Sequence, residues 1–304
     1  MRFKLIFILG LILLCAIFVA FASEEGGIIF TKEDAKQIKY PDPSTADVNI
    51  SFEDAKNKLI SENPEVTNES IHGELIDDEN FGIIRRVSSK TTNGKSIFAG
   101  INASNGELLF VYDGSKNVQG RDSISKDDAL KIAEEYIKSR ISAEKINEIE
   151  LEDVNYIGPA ADDLPGNYHV SYARIIRGIP SLSDGILLDV NAETGEVLSY
   201  DKSWSMDEEE IALIDTEPSI TDEKAVEILK EFMSSQPPIG EEKASTVKVL
   251  SSSLAWKEDN EDKTRLAWWI RFIDSSFERD DSLPASVLID AHSGEMLLFD
   301  YSRN

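Results

Sequence analysis

Cysteine is nearly absent from this 304-residue chain: it occurs once, at Cys15. A single thiol excludes an intramolecular disulfide, a thiolate zinc site and an iron–sulfur cluster. Histidine is scarce too, at His72, His169 and His292, and none lies in a His-Glu-x-x-His pattern. Basic residues fall far short of acidic ones, 31 against 57, for a net charge of −26. That charge repels phosphate backbones and excludes a nucleic-acid binder. No Gly-x-Ser-x-Gly elbow is present. What is plentiful is apolar sequence, 41% of residues, enough for packed cores.

The one long apolar run is Leu5–Ala22, preceded by Arg2 and Lys4 and followed by Ser23-Glu24-Glu25. A basic start, an apolar stretch and a small-x-small end at Ala20-Phe21-Ala22 read as a secretion signal. Eighteen residues also approach the span of a bilayer core, so residues 1–22 are a signal peptide or an N-terminal membrane anchor. Either way the remainder faces outside the cytoplasm, secreted or anchored. Leu14 before Cys15 argues against a lipidation site. Acidic residues are spread along the whole chain, which reads as a solvating surface; steering toward a basic partner is the alternative.

Two short patterns recur in the same order three times. The first opens a helix: Ile50-Ser51-Phe52-Glu53-Asp54-Ala55, Ile124-Ser125-Lys126-Asp127-Asp128-Ala129 and Ile220-Thr221-Asp222-Glu223-Lys224-Ala225. Ser51, Ser125 and Thr221 are helix caps, and Asp54 and Asp128 complete capping boxes. The second pattern closes a hairpin: Ala103 to Glu107, Ala192 to Glu196 and Ala291 to Glu295, each with glycine fourth, at Gly106, Gly195 and Gly294. Such a glycine suits a left-handed position in a short turn. Strand-like runs flank it at Ser96–Asn102 with Leu108–Tyr112, Ile186–Asn191 with Val197–Tyr200, and Ser286–Asp290 with Met296–Tyr301.

The predicted architecture is α+β: three tandem units, each a helix packed on an antiparallel meander of about four strands. The boundaries read 23–46 spacer, 47–113 first unit, 123–204 second unit, 205–218 acidic linker and 219–302 third unit. The spacer contains Phe30 to Ala35, which echoes the helix start but meets Pro41 and Pro43.

Ser125, Ala129 and the run Leu188-Asp189-Val190-Asn191-Ala192-Glu193-Thr194-Gly195-Glu196-Val197 resemble the PepSY domain. With Tyr168–Tyr172 and Arg177-Gly178-Ile179-Pro180, the second unit resembles the YcdB/YcdC-type repeat, a PepSY relative of exported proteins. The first unit departs from the pattern at Gly100-Ile101-Asn102, and the third lacks the Arg-Gly-Ile-Pro segment. The resemblance implies a non-catalytic exported protein that binds or restrains extracellular peptidases. A cell-envelope scaffold without a peptidase partner is the alternative.

No catalytic, cofactor-binding or metal-binding residue is assigned, and no cofactor is expected. His72, His169 and His292 read as surface or structural histidines. Acidic stretches at Asp77-Asp78-Glu79, Asp162-Asp163 and Glu258 to Asp262 read as solvated loops rather than calcium sites. Trp268 is expected in a core beside Ile270 and Phe272, and Trp269 in a seam between units. The sequons at Asn49, Asn68 and Asn102 matter only in a glycosylating host. The expected partner is an extracellular protein or peptide that pairs with a sheet edge, supported by Tyr168–Arg174 and Leu266–Ile273 as central strands. Membrane contact is expected only through residues 5–22.

Overall fold

The computed structural model describes residues 47–67, 70–78, 81–91, 94–120, 123–159, 164–236, 239–258, 263–277 and 284–301. The signal or anchor at 1–22, the spacer at 23–46, Asn68, Glu79, Asp162, Asp163 and residues 259–262 lie outside them. The fold is mixed α+β, with a large, mostly antiparallel sheet and a few helices. Among the described residues no helix is long and apolar enough to cross a membrane.

The described chain divides into two compact units, at other places than the sequence boundaries. One runs to Arg174 and resumes over Asp184–Ser205; the other joins Ile175–Ser183 to the chain from Met206 onward.

The first compact unit begins with α1 (Phe52–Glu62), capped by Ser51 in a full capping box with Asp54. Four strands follow as a meander: β1 (His72–Asp78), β2 (Gly82–Lys90), β3 (Ser96–Asn102) and β4 (Leu108–Asp113). Next come α2 (Lys126–Lys138), boxed by Ser125 and Asp128, and the short α3 (Ala143–Ile146). β5 (Ile149–Ile157), β6 (Asn167–Ile176), β7 (Ile179–Asn191) and β8 (Val197–Ser203) follow, the stretch Ile175–Ser183 at the β6–β7 tip being counted with the other unit.

β4 and β8 pair antiparallel, placing Val111 opposite Tyr200 and Phe110 opposite Asp201. This pairing makes one sheet of what the sequence divides at 113 and 123. Ala55 and Leu59 of α1 and Ala133 and Ile137 of α2 therefore share one apolar core with Val111, Val170, Leu188 and Tyr200. Two apolar edge strands that would each end a separate sheet bury their ladder groups against one another instead.

The second compact unit contains α4 (Glu208–Leu213), α5 (Asp222–Ser235) and α6 (Gly240–Ser245), then β9 (Lys248–Glu258), β10 (Thr264–Ile273), β11 (Ala285–Asp290) and β12 (Met296–Asp300). Thr221 caps α5, whose Ala225, Leu229 and Met233 are buried with Ile270, Phe272, Val287 and Ile289. The acidic stretch read as a linker is instead the start of α4. Asp207 caps it, Glu208 to Glu210 fill its first turn and Ile211 is fully buried. Carboxylates are favoured there by the free N–H groups of a helix start, so a charge run that suggests a loop also suits a helix N-terminus.

The β6–β7 hairpin turns on Arg177 and Gly178, both at positive φ, 54° and 78°. That is the backbone of a tight primed turn, costly for arginine. Arg177 Nη1 donates to the Ile211 and Ile214 carbonyls at 3.0 and 2.9 Å, holding the end of α4.

Each recurring helix start is tied to its hairpin by the same bond. Ile50 N–H donates to the Ala103 carbonyl at 2.9 Å, Ile124 to Ala192 at 2.7 Å and Ile220 to Ala291 at 3.1 Å. Asn102, Asn191 and Asp290 each use Oδ1 to accept two N–H groups of their own turn. Asparagine thus serves where the pattern favours aspartate, because only the acceptor oxygen is needed.

Candidate functional site

Strand alternation sends Tyr200 and Lys202 of β8 to the helix-covered face. Lys202 is fully buried and donates to Glu107, which also accepts from Lys145 Nζ at 3.2 Å. Three cations surround the Trp204 indole: Arg174 at 4.5 Å from the ring centroid, Lys145 at 5.2 Å and Lys202 at 5.4 Å. Arg174, itself 1% exposed, donates to Glu148 and to the buried Asp184, both at 3.0 Å. Asp184 accepts in turn from the Ser205 backbone and hydroxyl at 2.7 and 2.9 Å.

Burial pushes the Lys202 ammonium down to about 8, against the pull of Glu107. Burial would raise Glu107, but the hydrogen bonds and charges of Lys202 and Lys145 outweigh it and hold the carboxyl below its usual range. A lysine near 8 has the proton affinity of a reactive amine. Here it is one member of a clamp of three cations and three carboxylates, which fastens α3 and the end of β8 to β6 and β7. Nothing in the sequence marks this cluster, because its members are scattered over 98 residues between Glu107 and Trp204 and are gathered by strand pairing, with β8 delivering Lys202 and Trp204.

The other sheet face carries a second network. Asp189 accepts from Ser199 Oγ at 2.7 Å through one oxygen and meets His169 Nδ1 at 2.9 Å through the other. The serine thus engages the carboxylate rather than the imidazole, unlike a nucleophile activated by its base. His169 is 4% exposed, and its Nε2 and the Ser171 hydroxyl are buried without a hydrogen-bond partner among the described residues. On the same sheet face, burial, with the charge of Asp78 as the lesser cause, raises the Asp201 carboxyl to about 7.

The remaining candidates lie apart. His72 begins β1 and is exposed. His292 sits in its turn, bonding Ser219 Oγ at 3.1 Å and the Asp215 carbonyl at 2.9 Å. Among the described residues no group of His, Cys, Asp or Glu is arranged to hold a metal ion. Trp268 packs against its core and donates Nε1 to the Ile220 carbonyl at 3.0 Å. Trp256 is fully buried and donates to the Ile176 carbonyl at 2.9 Å. Trp269 is partly buried opposite Leu288 of β11.

The surface is most apolar along β5. Among the described residues β5 pairs with β6 alone, and Leu151, Tyr156 and Ile157 are 45%, 58% and 46% exposed. These are half of the large apolar residues the described chain exposes, concentrated on a single strand. Tyr168–Arg174 lies within β6, between β5 and β7, and Leu266–Ile273 within β10, between β9 and β11.

No curated protein matches the chain. Among solved structures the Bacillus megaterium YpeB C-terminal domain is similar, with 14% identity and a TM-score of 0.48, over 84% of this chain and 98% of that one. The family model of the YcdB, YcdC repeated domain matches residues 24–204, which takes in the stretch read as a spacer and stops where the acidic segment begins. With well over half of its length matched, the chain belongs to the YcdB/YcdC repeated-domain family.

Proposed function

We propose that this chain is an exported, non-catalytic binding protein of three PepSY-like units, and that it engages and restrains extracellular peptidases. The observation that carries the reading is the contrast between interior and edge. The charged side chains around Trp204 are paired with one another inside the fold, while an apolar sheet edge is left accessible. Surface apolar groups of that kind serve recognition. The three-unit reading is supported by the Ile-to-Ala bond that joins each capped helix to its glycine turn. Export rests on Leu5–Ala22 and its basic flank.

The test is inhibition. The purified chain is titrated against metallopeptidases secreted by the same host, and against a broad panel of peptide and ester substrates. Saturable inhibition without turnover is expected. Stable co-purification with envelope proteins and no inhibition would establish the scaffold instead. Turnover proportional to protein concentration and surviving repurification would make it an enzyme.

A further inference from the structure

The register of β5 on β6 fixes what each face of the exposed edge offers. Directly paired residues of an antiparallel ladder share a face. Leu151 pairs with Tyr172, Val154 with Val170 and Tyr156 with Tyr168, so this set lies on the helix-covered face with the buried Val170 and Tyr172. Val154 is buried under that cover, while Leu151 and Tyr156 extend past it. Glu150 pairs with Ala173, Asp153 with Ser171 and Ile157 with Asn167, on the opposite face. Glu152 sits at the bulge between Leu151 and Asp153. Glu150 and Glu152 are exposed and make no ion pair among the described residues. The edge is therefore two-sided, with Leu151, Val154 and Tyr156 on one face and carboxylates toward the other, where Ile157 closes the strand's end.

Native edge strands are commonly protected by lysine, proline or cover. Over Ile149–Ile157 there is neither lysine nor proline; the strand's guards are three carboxylates and the bulge between Leu151 and Asp153, and carboxylates repel an acidic strand while admitting a cationic one. A second copy of this chain is a poor occupant: it would bring an edge carrying Glu150, Glu152 and Asp153 to another carrying the same three carboxylates, within a protein of net charge −26. Like charges directly opposed destabilise a strand pair.

We infer that β5 is a docking edge for an extended basic peptide in which apolar and cationic residues alternate, the apolar set lying beside Leu151, Val154 and Tyr156 and the cationic set beside Glu150, Glu152 and Asp153. Backbone pairing supplies affinity and the two-residue period supplies selectivity, as in strand addition generally. The inference rests on the binding reading proposed above and assigns its surface and the chemistry of its partner.

The probe is a nine-residue peptide alternating valine and lysine, equal in length to β5. It is titrated by fluorescence anisotropy against the full chain. Comparators are the same residues in two blocks and the alternating peptide with glutamate for lysine. The alternating basic peptide binds, binding weakens with salt, and both comparators bind at least about tenfold more weakly. Glu150→Lys with Glu152→Lys weakens the probe by about tenfold or more, as does Leu151→Ser with Tyr156→Ser. Hydrogen exchange on the unaltered chain shows added protection at 149–157 on peptide binding, a readout independent of whether any variant folds.

Equal binding of the block peptide, protection at another strand, or dimerisation of the chain through β5 each overturns the inference. Peptidase inhibition by a chain that ignores the alternating peptide also overturns it, and leaves the broader binding reading standing. Hydrolysis of the peptide with protection still at β5 upholds the docking edge and sinks the non-catalytic reading.

Discussion

Arg140 closes a two-pronged fork on Glu62: Nη1 meets Oε1 and Nη2 meets Oε2, both at 2.6 Å. Glu62 ends α1 and Arg140 lies just past α2, so the fork joins the helices of the first two recurring motifs. The Arg140 guanidinium also rests 4.6 Å from the Tyr136 ring centroid. Bidentate arginine–carboxylate geometry fixes orientation as well as distance.

Glu62→Gln should therefore lower stability by about 1–3 kcal/mol, more than an exposed pair and less than a fully desolvated one. The glutamate side chain is 3% exposed and the arginine side chain 26%. Urea unfolding measures the loss. Replacing both partners with methionine should recover part of it, since no buried charge is then left alone. Unchanged unfolding in Glu62→Gln would show that the fork contributes nothing.

Asp201 carries a pH signature. Its native pKa of about 7 lies above its ordinary value of 3.8, with burial the first cause and Asp78 the second. Below about 3.8 both native and unfolded states hold the proton; between there and about 7 the native state holds more, so stability falls as pH rises through that window. Asp201→Asn should leave stability at pH 4 nearly unchanged and raise it at pH 8 by about 1–4 kcal/mol. Parallel urea curves for parent and variant at both pH values would contradict this.

Gly195 holds φ at 74°, and a Cβ placed there would stand 3.0 Å from Ile132 Cδ1 of α2. Gly195→Val combines left-handed strain with that contact and should cost about 1–2 kcal/mol. A melting temperature equal to the parent's would refute it.

Arg174 is the hub of the Trp204 clamp, and Asp184 beneath it is fully buried. Arg174→Met should cost about 3–5 kcal/mol, because a buried carboxylate loses its guanidinium. Adding Asp184→Asn to that variant should restore a substantial part. If the double variant is no more stable than the single one, the loss comes from packing on the indole and not from charge.

Local chemistry made much of this fold readable. Ser51, Ser125 and Thr221 cap helices because a hydroxyl before an acidic first turn has few better uses, and Gly195 and Gly294 lie at positive φ because their turns require it. The pairing of Val111 with Tyr200 was illegible, since residues 89 positions apart in sequence leave no periodic trace of their contact. The same long-range step hid the Trp204 clamp. Lys202 reads as an exposed lysine until β8 is placed on β4 and Glu107 comes within reach. His169, which reads from sequence as a surface or structural histidine, is buried on Asp189, a partner that strand alternation alone does not name.

The hairpin of β6 and β7 puts the family's boundary and the folding boundary at different residues. The family match ends at Trp204, but the hairpin tip, Ile175–Ser183, belongs with the chain beyond Met206. There Ile176 gives its carbonyl to Trp256 and Ser181 pairs with that same residue in parallel. A chain cut after Trp204 would hold every matched residue and still present a severed tip, with Ile176 and Ile179 stripped of their apolar neighbours. Such a fragment is expected to be adhesive where the whole protein is not.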